Sequence, residues 1–306
     1  MDSATRERVL ENLFPNARQA VEPWESFPWH PSGGECDTWR RHSSQALAID
    51  VFGTLKMAQP EERDAVIGAL ARELGVPPEG PWCIELEWQD TADRLCERQP
   101  TQVDAVACGA EAVIFFECKF TEADAGGCFQ VRRLERGEHA GQRQCNGRYR
   151  LQTNPVSGVE SRCALAGKGI HYWDRVPRVF TYRGDRDIDP CPFAGPWFQW
   201  MRNLVLCEWV ASDRRSRPAF ALVYADGVGL PFADKIRRKG MASLAAALRP
   251  EAISFGAMSY QYLLSIAGQA VSEAGLDTLK WHGLRDWVDR KVEHAVALRG
   301  TKKTAR

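Results

Sequence analysis

TQVDAVACGAEAVIFFECKFTE, residues 101–122, reads as a β-hairpin. Thr101 to Cys108 and Ala112 to Phe120 are the strands, and Gly109, Ala110 and Glu111 supply the turn between them. Neighbouring strands lie about 4.8 Å apart, and residues i and i+2 share a face. Antiparallel pairing across this turn sets Asp104 opposite the level of Phe116 and Glu117, with Glu117 and Lys119 projecting together beside it. Two close carboxylates repel each other and recruit a hard divalent cation, so the pattern is that of a metal site with a lysine next to it.

The flanks extend the hairpin into a sheet. WCIELEWQ, Trp82 to Gln89, alternates Trp82, Ile84, Leu86 and Trp88 with Cys83, Glu85, Glu87 and Gln89, as a half-buried strand with two carboxylates on its exposed face does. Three consecutive strands then form an antiparallel meander, and the solid apolar run Ala112 to Phe116 makes the third a central strand covered on both faces. Upstream, SSQALAIDVFGTLKM has helical spacing with Ser43 or Ser44 as N-cap, and Pro60 to Leu74 gives a second helix that ends at Gly75 and Pro77. Residues 1–40 combine a short helical pattern, Arg6 to Leu13, with the irregular VEPWESFPWHPSGGE, and form an N-terminal arm.

Downstream, residues 123–193 are rich in Gly, Cys and Arg with weak periodicity, an insertion rather than a separate domain. Periodicity returns with a helix over PWFQWMRNLVLCEWVAS from Pro196, followed by a strand from Ala219 to Tyr224. Helices are expected over Ala233 to Leu248, Ser259 to Ala274 and Asp277 to Leu298. The expected organisation is an arm at 1–40, a core at 41–225 that includes the insertion, and a helical extension at 226–306.

Without the insertion, the order helix, three strands, helix, strand is the αβββαβ order of the PD-(D/E)XK phosphodiesterase superfamily, the restriction-endonuclease-like fold, an α/β class with a mixed central sheet flanked by helices. The chain resembles that superfamily in Asp104 on the second strand and Glu117-Cys118-Lys119 on the third. FFECKFTE is similar to an IEVKYTE-type motif of a bacterial branch; SSQALAIDVFGTL resembles its first-helix motif, and PWFQWMRNLVLCEW its Gln-x-x-Arg-Asn helix. The resemblance implies an Mg2+- or Mn2+-dependent nuclease that hydrolyses DNA. Asp104 and Glu117 would be the metal ligands, the Cys118 carbonyl a third, and Lys119 catalytic. The chemistry is consistent with those residue types: the metal polarises phosphate and water, and the lysine orients the water or stabilises the pentavalent state.

Further residues carry two readings each. Glu85 and Glu87 either add a metal ligand, with Glu87 the better placed, or belong to a solvated sheet face. Ser44 and Gln45 either border the site, as the first helix does in the superfamily, or are a cap and a buried amide. Gln199 and Arg202, one helical turn apart, offer a phosphate contact or a surface ion pair. A second acid-x-lysine, Asp289 to Lys291, lies in a charged helical pattern and reads as coincidence. Cys128, Cys145, Cys163 and Cys191 of the insertion form no CxxC, so zinc or an iron–sulfur cluster is not expected from their spacing, and they read as reduced thiols. Tyr149, Tyr172 and Trp173 suit core packing better than base stacking.

At 306 residues with 44% hydrophobic and 26% charged residues, the chain can bury a large core and has the composition of a globular protein. Net charge is zero, so bulk electrostatics do not announce nucleic acid; basic residues cluster locally at Arg40 and Arg41, at Arg132 and Arg133, from Lys235 to Lys239 and from Arg299 to Arg306. No signal-like or membrane-length apolar run is present, which leads to a cytoplasmic expectation with no membrane partner. Nucleophile-elbow, HExxH, dinucleotide and P-loop patterns are missing, and the six histidines are scattered singly. The expectation is a deoxyribonuclease, with RNA as substrate left open and a homodimer suited to double-strand cutting. The alternative is a nucleic-acid-binding or regulatory module that keeps the fold without turnover.

Overall fold

The structure is a computed structural model that describes residues 2–32, 35–122, 126–239 and 241–304. The expected meander is present as β1 (Cys83–Gln89), β2 (Gln102–Cys108) and β3 (Ala112–Lys119). Ala105 pairs with Phe116 across β2 and β3, which sets Asp104 at the level of Glu117. The Gly109 N–H closes the turn on the Ala112 carbonyl at 2.9 Å. Glycine is required there because a Cβ would come within 2.9 Å of the Trp82 ring.

Every residue of β3 is buried, as the apolar run implies. Ile114, Phe116 and Cys118 face one hydrophobic layer, while Val113 and Phe115 face the other. The sheet therefore separates two cores. On the first side lie α1 (Ser3–Asn12), the helix formed by Ser44–Ala48, a π-helical turn Ile49–Gly53 and Thr54–Met57 (together α2), and α3 (Pro60–Glu73). Ser43 caps α2 by accepting the Ala46 N–H at 3.3 Å. On the second side lie α4 (Tyr172–Val179), inside the insertion, and α5 (Phe198–Arg214). α5 leads into β4 (Arg217–Tyr224), which pairs parallel to β3 along its whole length.

The remaining chain forms α6 (Pro231–Lys239), α7 (Ala242–Ala247), β5 (Ser254–Ser259), α8 (Tyr260–Glu273) and α9 (Leu279–Thr304). The result is a five-stranded mixed sheet in the order β1-β2-β3-β4-β5, flanked by helices, consistent with the restriction-endonuclease-like fold. β5, parallel to β4, was not expected in a helical tail: SFGAMS contains a glycine, lacks apolar alternation and forms a half-exposed edge. The single helix expected over Ala233 to Leu248 is two, with Gly240 between them in the sequence.

β1 departs from strict alternation. Trp82, Ile84 and Leu86 pack toward the first core, as expected, but Trp88 packs toward the second, its ring 5.4 Å from that of Phe115. The reversal falls at Glu87, whose φ of 49° is left-handed. Glu87 is consequently buried, whereas Glu85 stays exposed, so the two do not share a solvated face. α8 and α9 also contribute to the first core through Leu263, Leu264, Trp281, Leu284 and Val288. Among the described residues no helix is long and apolar enough to cross a membrane.

Candidate active site

β2 and the carboxyl end of β3 deliver Asp104, Glu117, Cys118 and Lys119 to the floor of a cleft of about 420 Å3. Ser44 and Gln45 of α2, His30 of the arm, and Gln199 and Arg202 of α5 line the same cleft. The fold thus brings Asp104, Glu117, Lys119, Ser44, Gln45, Gln199 and Arg202 together from four segments.

Lys119 Nζ lies 2.7 Å from Glu117 Oε1, and both side chains are almost fully buried. The other Glu117 oxygen accepts a hydrogen bond from Asn203 Nδ2 at 2.7 Å. Asp104 Oδ2 accepts the Cys118 N–H at 2.6 Å. Burial, then the neighbouring Glu117 and Glu87 carboxylates, push the Asp104 carboxyl well above its ordinary range, against the pull of Lys119 and the Cys118 amide. Burial alone would lower the Lys119 ammonium, but Glu117 and Asp104 overrule it and hold the group above its ordinary value. Acid therefore outnumbers base on this floor, and Lys119 is a proton holder.

That surplus fits a divalent cation. The donor set is hard oxygen, with the Asp104 and Glu117 carboxylates and the Cys118 carbonyl carried by adjacent strands. Among the described residues no three His, Cys, Asp or Glu side chains are gathered on one ion. An ion here would take two carboxylates and a carbonyl from the protein and complete its shell with water and substrate, as Mg2+ commonly does.

Glu87 is occupied differently. Its carboxylate receives Gln45 Nε2 at 2.8 Å and Gln102 Nε2 at 2.5 Å, and His30 Nε2 is 3.2 Å away. Gln45 also accepts from the His30 amide and the Thr38 hydroxyl and donates to the Pro28 carbonyl. Its amide is saturated as a buried staple between the arm and β1. Ser44 Oγ is 3.4 Å from the Cys118 carbonyl. Arg202 bonds Glu97 at 2.8 Å and Thr101 Oγ1 at 3.1 Å, leaving about a quarter of its side chain exposed in the cleft (24%). Gln199 lines the wall one turn earlier.

Two residues were missed by the sequence reading. His30 is raised to about 9; burial opposes this, but Glu87, Asp104 and Asp37 outweigh it, so the ring is a cation at neutral pH. Nothing in its irregular Trp- and Pro-rich context distinguishes it. Asn203, directly after Arg202, is fully buried, and its Oδ1 has no partner while Nδ2 serves Glu117. Asn203 is the Asn of the Gln-x-x-Arg-Asn pattern, and its polar amide on the buried face of α5 was the further signal.

A family model described as Restriction Endonuclease associating with ARP matches residues 1–282 of the chain. No curated protein and no solved structure matches it.

Proposed function

The chain belongs to that restriction-endonuclease family, and from this premise we propose that it is a divalent-metal-dependent nuclease that hydrolyses DNA phosphodiester bonds at the Asp104, Glu117 and Lys119 cleft. The observation that carries the reading is the surplus of buried carboxylate beside a protonated lysine at the floor of an open cleft. An Mg2+ or Mn2+ ion bound there would supply Lewis-acid polarisation of the scissile phosphate.

The chain's own groups supply the rest. Asp104 and Glu117 offer oxygens on adjacent strands, and Asn203 fixes the rotamer of Glu117 by its hydrogen bond. Lys119, which Glu117 and Asp104 hold protonated, donates to a non-bridging phosphoryl oxygen or orients the attacking water. Arg202 and Gln199 face the cleft where a flanking phosphate would lie. A second cleft of about 740 Å3 is lined by Arg8, Arg40, Arg41 and Arg290, together with Glu11. His42 lines it two residues before Ser44 of the first cleft, and Arg299 of α9 donates to the Thr121 carbonyl, just past the end of β3, at 2.7 Å. These cations support a phosphate backbone running toward Lys119.

The test is incubation of purified protein with plasmid, linear and single-stranded DNA, and with RNA, in Mg2+ or Mn2+. Metal-dependent cleavage of DNA that is lost in Lys119→Ala is expected. No cleavage of any substrate, with wild type and variant alike, overturns the reading in favour of a binding module. Cleavage confined to RNA overturns the choice of DNA.

A further inference from the structure

Four of the ten cysteines come from four separate loops of the insertion, and the fold brings them to one place. Cys128, Cys145, Cys163 and Cys191 all line a single void of about 30 Å3 behind Phe198. The loops of Cys128, Cys145 and Cys191 are tied in a closed ring by the main chain. The Cys145 N–H donates to the Gln130 carbonyl at 2.9 Å, the Cys191 N–H to the Gly147 carbonyl at 2.9 Å, and the Cys128 N–H to the Ala194 carbonyl at 3.2 Å.

Each sulfur is also met by main-chain amides two or three residues further on. The Gly147 N–H points to Cys145 Sγ at 3.5 Å. The Gln130 amide serves Cys128, those of Leu165 and Ala166 serve Cys163, and those of Phe193 and Ala194 serve Cys191. Amides turned onto sulfur favour thiolate and are the outer hydrogen bonds that orient thiolate ligands, and at Cys128, Cys163 and Cys191 they offset part of the burial that pushes the thiols up. Cys207, buried in the second core, also meets amides, those of Phe115 and Ala219, so what distinguishes the four is their gathering on one void. The cations Arg148 and Arg162 line the same void, and Lys168 lies beside Cys128.

The surrounding chain has a matching need. From 126 to 171 the insertion holds single-turn 3-10 segments, one two-residue ladder, Gln152–Thr153 with Glu160–Ser161, and isolated bridges at Arg133 with Arg143 and Tyr149 with Ile188. So little regular structure is commonly held by a covalent or metal cross-link.

We propose that Cys128, Cys145, Cys163 and Cys191 form a tetrathiolate site for a thiophilic metal centre, either a zinc ion or an iron–sulfur cluster assembled from iron and sulfide. On binding, the thiol protons pass to solvent and the four thiolates become the ligands. The ligands come from unrelated loops, which is why their spacing shows no paired motif. Among the described residues no three of the sulfurs close on one ion; they line a small void, which a zinc ion would draw shut or a cluster would widen. The site adjoins the candidate active site. Phe198 lines both cavities, and the loop beginning at Cys128 carries Phe129 and Arg132 into the catalytic cleft. The centre would fix that wall without taking part in the cleavage step.

The full chain, purified without chelator under nitrogen from cells supplied with zinc and iron, is analysed for zinc, iron and acid-labile sulfide. About one zinc per chain, or about four irons with matching sulfide and the visible charge-transfer absorption of a cluster, is expected. Cys163→Ser and the double variant Cys128→Ser/Cys145→Ser lose it, whereas Cys83→Ser, at an exposed strand position, keeps it. In case the variants fail to fold, thiol reactivity of the wild type is counted before and after chelation, with about four additional thiols expected to react afterwards. Substoichiometric metal in folded wild-type protein, or full metal retained by a folded Cys163→Ser, overturns the proposal. The readout is metal content, so it stands or falls independently of nuclease activity.

Discussion

Among the described residues two acid–lysine pairs are buried, Glu117 with Lys119 at the cleft and Asp50 with Lys291 in the first core, and they differ in how fully their charge is balanced. Lys291 Nζ lies 2.5 Å from Asp50 Oδ2 and also donates to the Asn12 carbonyl at 2.7 Å. Asp50 further accepts the Phe14 N–H at 2.7 Å and the Trp287 indole N–H at 3.0 Å. One acid meets one base, both carboxylate oxygens have donors, and burial pushes the two groups toward neutrality: Asp50 up, Lys291 down. At the cleft, by contrast, Lys119 is pushed up because Asp104 and Glu117 act on it together. A closed pair with balanced charge holds helices together. An open pair leaves surplus charge that the proposed divalent cation would balance.

The largest effect that would break this contrast is expected for Asp104→Asn. Removing the surplus carboxylate should lower DNA cleavage by about 10²- to 10³-fold or more, abolish Mn2+ binding measured by calorimetry, and leave the metal-free melting temperature equal or higher. A fall in stability with retained cleavage would assign Asp104 to the scaffold. Next comes Lys291→Ala, which strands a buried carboxylate and should cost about 3–5 kcal/mol in denaturant unfolding. The protein that remains folded should cleave at the wild-type rate; a selective loss of cleavage would make the second pair part of the site.

The pH dependence sharpens the same comparison. The Asp104 and Asp50 carboxyls are raised in the folded state, so folding takes up protons and metal-free stability falls as pH rises from the ordinary aspartate value through the raised ones. Mg2+ should flatten the Asp104 share of this slope in the wild type, and Asp104→Asn should remove that share. Asp50→Asn should change a share that Mg2+ does not touch. The smallest effect is expected for His30→Gln. The histidine is raised to about 9, so its contribution is complete below its unfolded value near 6.5 and disappears as pH climbs through 9. Melting curves of wild type and variant should converge above that pH.

Much of the cleft was legible in the sequence because strand pairing is arithmetic: the turn at Gly109 fixes which residue faces which, and Asp104 follows from Glu117. What failed was what local pattern does not encode. Alternation put Glu85 and Glu87 on one face, but the left-handed backbone at Glu87 carries no sequence mark and sends the second carboxylate to Gln45 and His30. α4 was hidden by its short length and by Pro177 within it. The true partner of Lys291 is not Asp289 of its own tripeptide but Asp50, 241 residues away. An aspartate in the apolar run ALAIDVFG was the visible half of that pair, and its other half could be found only in three dimensions.

Helical phase explains how α2 serves both pairs. A residue in an α-helix advances the direction of its side chain by about 100°, so Asp50, after Gln45 in the chain, points roughly 140° away from it. Ser44 and Gln45 look into the cleft, while Asp50 looks to Lys291 on α9. α2 works as a coupling between two shafts set out of line, each of its faces meshing with a different neighbour.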